Sequence, residues 1–287
     1  MPVRIVQSKQ NARLKELRRA LAFPGREGGN QRRGLAGIEG PNLLKEALRA
    51  GLRIDCVFAA QGTNALQAVP ALPPETEILE LPKELLDSAL TTEAPQSIAA
   101  LIEPPDWTWA HIVGPHGLGG TEKSPALVLV LDSLQDPGNL GTILRSAEAF
   151  GADGVICLPG TVSAWNPKAV RASAGSVFRL PVLAMSAEDC FARLLEAQVK
   201  IWTTTVEAAQ PADLVDLAAP VALLIGNEGK GVSEPLAAQA AGRITIPCPG
   251  PVESLNAAVA ASVLLYEASR QRGIRNGKHL DLLGDAR

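Results

Sequence analysis

The sequence predicts an α/β protein built as two domains, and three observations carry that prediction. Short apolar segments of strand length alternate with helical patterns along nearly the whole chain. In the second half those segments are apolar almost without interruption, the pattern of a parallel sheet covered on both faces. The chain has 287 residues, 46% of them hydrophobic and 20% charged, which is enough for more than one core. Aromatics are only 3%, so those cores must be aliphatic.

The first domain is expected over residues 1–105. Asn11 to Leu21 reads as a helix with Leu14, Leu17 and Leu21 on one face. Phe23–Gly34, rich in Gly and Arg, reads as a loop. Gly37-Ile38-Glu39-Gly40 turns into a helix with Pro41 near its start and Gly51 at its close. Ile54–Ala59 is a strand and Thr63–Leu66 opens a further helix. Ile78–Leu81 is a strand, Pro82–Ser88 a helix and Ser97–Ile102 a strand. Residues 106–125, rich in proline and glycine, then break the alternation as a linker. Trp107 and Trp109 there either pack on a domain surface or stack on a base, with packing favoured.

The second domain is expected over residues 126–275. Its strands are Leu127–Leu131, Gly154–Leu158, Leu180–Leu183, Lys200–Thr204, Val221–Ile225 and Arg243–Ile246. Its helices are Gly141–Phe150, Pro167–Ser173, Ala187–Gln198, Glu234–Ala240 and the long Asn256–Arg272. Residues 276–287 read as a frayed tail.

Composition narrows the functions open to the chain. MPVRIVQSKQ has no apolar core of a signal peptide, and no run reaches the ~18 apolar residues of a membrane span, so a cytoplasmic protein is expected. Cys56, Cys157, Cys190 and Cys248 lack C-x-x-C spacing and have only His111, His116 and His279 as co-ligands. Reduced thiols are expected rather than a metal site. The net charge is −3, yet residues 1–34 hold nine Lys/Arg against Glu16 and Glu27, which leaves the remainder at −10. A basic end of that kind suits a polyanion, although a solvated helix face gives the same pattern.

Three polar loops follow strands of the second domain, at the sheet edge where α/β folds gather ligands. Asp136-Pro137-Gly138-Asn139 leads into a helix that carries Arg145; Asn139 is expected in the loop. Gly226-Asn227-Glu228-Gly229-Lys230-Gly231 follows an apolar strand. Its G-x-x-G-x-G spacing is neither the G-x-G-x-x-G of a dinucleotide fold nor a P-loop, which weighs against a nucleotide-dependent oxidoreductase. Ile246-Pro247-Cys248-Pro249-Gly250-Pro251-Val252-Glu253-Ser254-Leu255-Asn256 enters the last helix. Ser254 or Asn256 can cap that helix, and one of the two is then free for other work.

Taken in order, Asn-x-Gly-x-x-x-Arg-x-Ala-x-x-Phe-Gly (Asn139 to Gly151), Ile-Gly-Asn-Glu-Gly-x-Gly (Ile225 to Gly231) and Ile-Pro…Glu-Ser-Leu-Asn…Leu-Tyr-Glu (Ile246 to Glu267) resemble the three motifs of the SpoU/TrmH family. These are RNA ribose 2′-O-methyltransferases of the SPOUT superfamily. The match runs from about Leu127 to Arg272. More loosely, the N-terminal third resembles the L30e-like RNA-binding domain that precedes the catalytic domain in ribosomal RNA members.

The resemblance implies a parallel-sheet domain closed by a deep trefoil knot, a feature no pattern in the residues could show. It implies S-adenosylmethionine as cofactor, held by backbone at Gly226, Ile246 and Leu255. Asn139, Arg145, Glu228, Ser254 and Asn256 match the family's polar active-site positions. Arg145 is expected to stabilise the ribose alkoxide, since a guanidinium with a pKa above ~12 makes a poor base. Asn139 and Asn256 would orient it, Glu228 would fix Arg145 or a neighbouring donor, and Ser254 would position the ribose. The resemblance further implies a homodimer acting on RNA, large-subunit ribosomal RNA foremost, and the apolar final helix Asn256–Tyr266 is the feature in this sequence that could supply the interface. Transfer RNA, or a non-catalytic role in RNA binding or ribosome assembly, is the alternative. Neither a membrane nor a metal is expected to take part.

Overall fold

Runs of Val, Ile, Leu and Ala set the strands, and capped or proline-started segments set the helices between them. A computed structural model describes residues 3–22, 34–92, 94–113, 125–206 and 209–275. The Gly/Arg loop over 23–33, most of the linker (114–124) and the tail 276–287 therefore lie outside the described residues. The chain divides into two packed units, residues 1–106 with 163–179, and residues 107–162 with 180–287.

In the first unit the order is β1 (Val3–Ile5), α1 (Ala12–Ala22), β2 (Ala36–Glu39), α2 (Pro41–Arg49), β3 (Ile54–Ala60), β4 (Glu77–Leu81), α3 (Lys83–Asp87) and β5 (Ile98–Ile102). The five strands lie in the order β1-β4-β3-β5-β2. β1, β4 and β3 run parallel, while β5 runs antiparallel to β3 and β2. Asn11 starts α1 by accepting the Leu14 amide at 3.2 Å, and the helix then seats Leu14, Leu17, Ala20 and Leu21 on a core with Phe58, Leu79 and Leu101.

Two expectations fail here. The helix expected after Gly40 is present, with Pro41 in its first turn, but the residues ahead of it are no turn: Ala36–Glu39 is a strand paired with β5 from Glu39↔Ala99 to Ala36↔Ile102. A Cβ on Gly37 would lie 2.8 Å from Cγ and Cδ2 of Leu21, so the glycine is what admits α1 at that point. Thr63–Leu66 opens no helix beyond one 3₁₀ turn, Leu66–Ala68. Pro70, Pro73 and Pro74 block continuation, and the Thr63 hydroxyl donates back to the Ala60 carbonyl at 2.7 Å.

The second unit begins inside the stretch expected to be a linker. Its α4 (Trp109–Ile112) is capped by a reciprocal Thr108–His111 pair, with Ile112 buried. Trp109 packs on the core, with Arg193 5.8 Å from its ring centre, so its role is packing. β6 (Leu127–Leu131), α5 (Pro137–Ala149) and β7 (Gly154–Cys157) follow.

The next helix, α6 (Pro167–Ala172), groups with the first unit instead of its sequence neighbours. It packs on β2, Arg179 pairs with Glu46 at 2.8 Å, and buried Phe178 stacks on Trp165. Periodicity identifies such a helix without saying which core receives it.

The chain then completes the second unit with β8 (Val182–Ala184), α7 (Ala187–Glu196), β9 (Lys200–Thr204), β10 (Gln210–Pro211), β11 (Val221–Ile225), α8 (Glu234–Ala237), β12 (Gly242–Thr245) and α9 (Ala257–Arg275). All seven strands are parallel, in the order β10-β12-β9-β11-β6-β7-β8. Val128, Val130, Ala222 and Leu224 form the core face under Phe191 and Leu194 of α7. Helix α5 packs against α9, where the Ser146 and Ser262 hydroxyls meet at 2.7 Å. Among the described residues no helix is long and apolar enough to cross a membrane.

Candidate active site

The strands β6, β11 and β12 deliver the three polar loops to one end of the second unit's sheet. After β6 the chain turns through buried Asp132 and Ser133, whose φ of 56° is unusual for a residue with a side chain. Asp136 then caps α5 by accepting the Asn139 amide at 2.8 Å, with Pro137 in the first turn. Asn139 therefore sits in the first turn of the helix and not in a loop, because the Asp-Pro pair starts the helix four residues earlier than expected. Arg145 lies two turns further on, exposed, and makes no hydrogen bond or ion pair among the described residues.

The second loop doubles back on itself. Asn227 and Gly231 exchange backbone hydrogen bonds at 3.0 and 2.9 Å. A Cβ on Gly226 would lie 2.1 Å from the Gly231 carbonyl carbon and the Val232 nitrogen, so no other residue fits there. Asn227 holds the loop's shape: its Oδ1 accepts the Gly229 and Lys230 amides, and its Nδ2 donates to the Ser133 carbonyl at 2.8 Å.

Next to it, the Glu228 carboxylate accepts from the Gln135 amide at 3.4 Å, the Asp136 amide at 3.2 Å and Asn139 Nδ2 at 3.1 Å. Partial burial pushes the Glu228 pKa up, but these donors outweigh it and hold the carboxyl below its ordinary value.

The third loop supplies the last link. Asn256 Oδ1 accepts the Ala258 amide at 2.9 Å and so caps α9, while its Nδ2 donates to Asn139 Oδ1 at 3.0 Å. Ser254, the other candidate cap, is exposed and without a hydrogen bond among the described residues. The result is a chain of side chains, Glu228···Asn139···Asn256, that ties one residue from each loop into a single unit. Arg145 stands outside that chain, and Glu228 bonds to the neighbouring Asn139 instead of to the arginine.

Beside this chain opens a cleft of about 730 Å³, within the ~300–1,000 Å³ range of small-molecule sites. Gly226, Ile246, Leu255, Glu228 and Ser254 line it; Asn139, Arg145 and Asn256 do not. Its walls join close-packed backbone at 226–231 to aliphatic side chains, with the carboxylates Glu228, Glu234 and Glu253 at its surface. That donor set fits a purine nucleoside carrying a positive sulfur: backbone groups for the base and acidic side chains for the cation.

The thiols of Cys56, Cys157 and Cys190 are each pushed up to about 12 by burial, so none is poised as a nucleophile. Cys248 is exposed beside the cleft, its Sγ 3.4 Å from the Ile246 carbonyl. Among the described residues no group of three or more His, Cys, Asp or Glu is placed to hold a metal.

Sequence reasoning missed two residues that shape the site. Asn227 was visible in its motif but carried no assigned role. Asp132, nine-tenths buried, takes the Ser233 amide at 3.0 Å and the Ser133 hydroxyl at 3.0 Å, which locks the first loop to the second. The available signal was a carboxylate placed directly after five apolar strand residues.

Residues 126–266 match the description "SpoU rRNA Methylase family", and residues 38–108 match "RNA 2'-O ribose methyltransferase substrate binding". The 23S rRNA (guanosine(2553)-2'-O)-methyltransferase RlmP of Bacillus subtilis strain 168 is 33% identical over 230 residues, covering 80% of this chain and 86% of that protein. An uncharacterized tRNA/rRNA methyltransferase of Mycolicibacterium vanbaalenii is 34% identical over 244 residues, covering 82% and 76%. Among solved structures, the SpoU methyltransferase AviRb from Streptomyces viridochromogenes in complex with AdoMet superposes with a TM-score of 0.75 at 28% identity, covering 92% of this chain and 98% of that one.

Proposed function

The chain belongs to the SpoU rRNA methylase family, and on that premise we propose that it methylates a ribose 2′-hydroxyl of ribosomal RNA with S-adenosylmethionine as donor. The observation that carries the proposal is the side-chain bridge Glu228···Asn139···Asn256 beside a nucleoside-sized cleft, with Arg145, exposed and unpaired among the described residues, on the same helix as Asn139.

S-adenosylmethionine supplies an activated methyl group on a cationic sulfur, and Gly226, Ile246 and Leu255 are the residues we assign to hold it. Arg145 is assigned to the acceptor oxygen. A ribose hydroxyl is a weak nucleophile at neutral pH, and a guanidinium stabilises the negative charge that develops on it by charge-assisted hydrogen bonds. Its proton leaves to water or to a phosphate of the RNA, because a guanidinium offers donors and no lone pair to accept it. Asn139 is a positioning residue, fixed from both sides by Glu228 and Asn256, and Ser254, whose hydroxyl has no partner among the described residues, is assigned to the ribose. Residues 1–105 would select the RNA and residues 126–275 would bind the donor. A deep knot in the second unit and a cytoplasmic location belong to the same reading.

We further assign a homodimer. Val259, Val263 and Tyr266 of α9 are exposed and, with Thr142 and Phe150, line a groove of about 300 Å³, an apolar strip of the kind a self-complementary contact covers. Sedimentation at micromolar concentration is expected to give twice the chain mass; a fully active monomer refutes this part.

The deciding experiment maps 2′-O-methylation in ribosomal and transfer RNA from cells with and without the protein. One ribosomal ribose methyl group is expected to depend on it. The same site rebuilt with 2′-deoxyribose should bind and accept no methyl. Methylation of that deoxy nucleotide would place the chemistry on the base, and a transfer RNA signal would move the substrate.

A further inference from the structure

We propose that the outer face of α1 is a docking track for RNA phosphates, formed by Lys15, Arg18 and Arg19 with Lys9 before the helix. The inference rests on the RNA reading above and adds a surface to it, since the match to the substrate-binding description starts only at residue 38.

The basic character of the chain's first residues is not spread evenly over them. Arg4 is bonded to Glu77 at 2.9 Å, and Arg13 is enclosed by Glu16, Asp55 and Glu77 at 2.9–3.0 Å. Both cations already face carboxylates of their own unit, Arg4 at the surface and Arg13 partly buried, so they offer less uncompensated charge to a ligand.

The other cations of α1 are different. Lys15 and Arg19 are exposed and have no acidic partner among the described residues. They stand four residues apart, and Arg18 stands three from Lys15, so all three lie on or beside one face. Leu14, Leu17, Ala20 and Leu21 occupy the opposite, buried face. Among the described residues Arg18 is held by neutral acceptors, Nη2 donating to the Ser88 hydroxyl at 2.9 Å and Nη1 to the Lys9 carbonyl at 3.4 Å. Its charge is positioned without being cancelled, and the Lys9 side chain, also exposed, extends the ridge beyond the helix start.

Like charges three and four residues apart destabilise a helix, and this helix has no acid in its first turn to offset them. A row of uncancelled cations held at fixed spacing is what a phosphate backbone complements.

The test is filter binding of the full chain to a 23S rRNA transcript across a salt series. Wild type is expected to lose affinity steeply with salt. Each released phosphate contact contributes a slope of roughly −0.7 to −0.9 in log K against log salt. The triple variant Lys15→Ala, Arg18→Ala, Arg19→Ala should flatten the slope by about two and bind at least tenfold more weakly at physiological salt, on the same basis. It should keep its melting temperature and its affinity for S-adenosylmethionine. Arg4→Ala should leave the slope unchanged. An unchanged slope in the triple variant, beside a flattened one in Arg4→Ala, overturns the assignment. Absence of any salt-dependent binding by the wild type instead overturns the RNA reading itself, so the two failures are separable.

Discussion

The two ends of the seven-stranded sheet treat their polar groups in opposite ways. At the amino ends of β6 and β11, Arg272 of α9 donates to the carbonyls of Pro125, Ala126, Leu217 and Ala219. Asp153 accepts the Leu127 amide at 2.7 Å, and burial raises its pKa while Leu127 and Arg272 oppose the rise. Gln271 takes the Leu217 amide and donates to the Val215 carbonyl. At the carboxyl ends, by contrast, Arg145 is exposed without a partner and Ser254 is uncommitted among the described residues. The same residue type, arginine, is saturated at one end and left open at the other. Saturation serves stability, and the open arginine is the one proposed above to face the acceptor oxygen.

Substitutions at the two ends should therefore separate cleanly. The largest effect is expected from Arg145→Ala, which should lower kcat on the order of 10²–10³-fold, the cost of losing one charge-stabilising donor. Single-turnover methylation and donor titration check this, with stability and donor affinity held within a few-fold; near-normal turnover would break the contrast.

At the other end Arg272→Met should cost about 3 kcal/mol of stability in urea unfolding, because four carbonyls and Asp153 lose their partner. The fraction that remains folded should turn over normally.

Gly226→Ala comes next, at roughly 2 kcal/mol for a side chain forced into backbone. It differs from Arg272→Met in raising the donor Kd as well, since the loop it distorts lines the cleft.

Asn256→Ala removes the cap of α9 and should cost about 1 kcal/mol. A double-mutant cycle with Asn139→Ala reads how much of that passes through the bridge.

The smallest effect concerns pH. Glu228 has a lowered folded pKa, so the stability it adds is present above its ordinary carboxylate range and is lost as pH falls through the folded value. The difference in melting temperature between wild type and Glu228→Gln should be a degree or so at neutral pH, on the order expected for an exposed group, and should shrink below pH ~4. A difference that grows on acidification would contradict the hydrogen-bond account.

Strands with strong local signals were legible before any coordinates. Leu127–Leu131, Lys200–Thr204 and Val221–Ile225 begin and end where their sequence predicts, since each is an unbroken strand-forming run between turn residues. β1, β2 and β10 were not legible, because two to four residues carry no period and those strands exist only through partners far away in sequence. The start of α5 was misplaced for a different reason: Asp-Pro-Gly-Asn is as good a turn as it is a capped helix start. The polar residues of the three motifs could be named as candidates from their spacing alone. What the sequence withheld was who bonds to whom, such as Glu228 to Asn139 and not to Arg145, because that depends on three loops brought together by the sheet.

Helix α6 and its flanks, residues 163–179, have a consequence for how the protein is made. A chain emerging from the ribosome presents residues 1–106 first, yet the face of β2 that receives α6 stays uncovered until residue 179 has been added. At typical synthesis rates that delay is roughly ten seconds. For that interval the amino-terminal unit exists as an incomplete fold, waiting for a piece of itself that is encoded in the middle of the other unit. Its quality control is thus tied to translation speed, and slow codons between positions 106 and 179 would lengthen its exposure to proteases without changing a single residue.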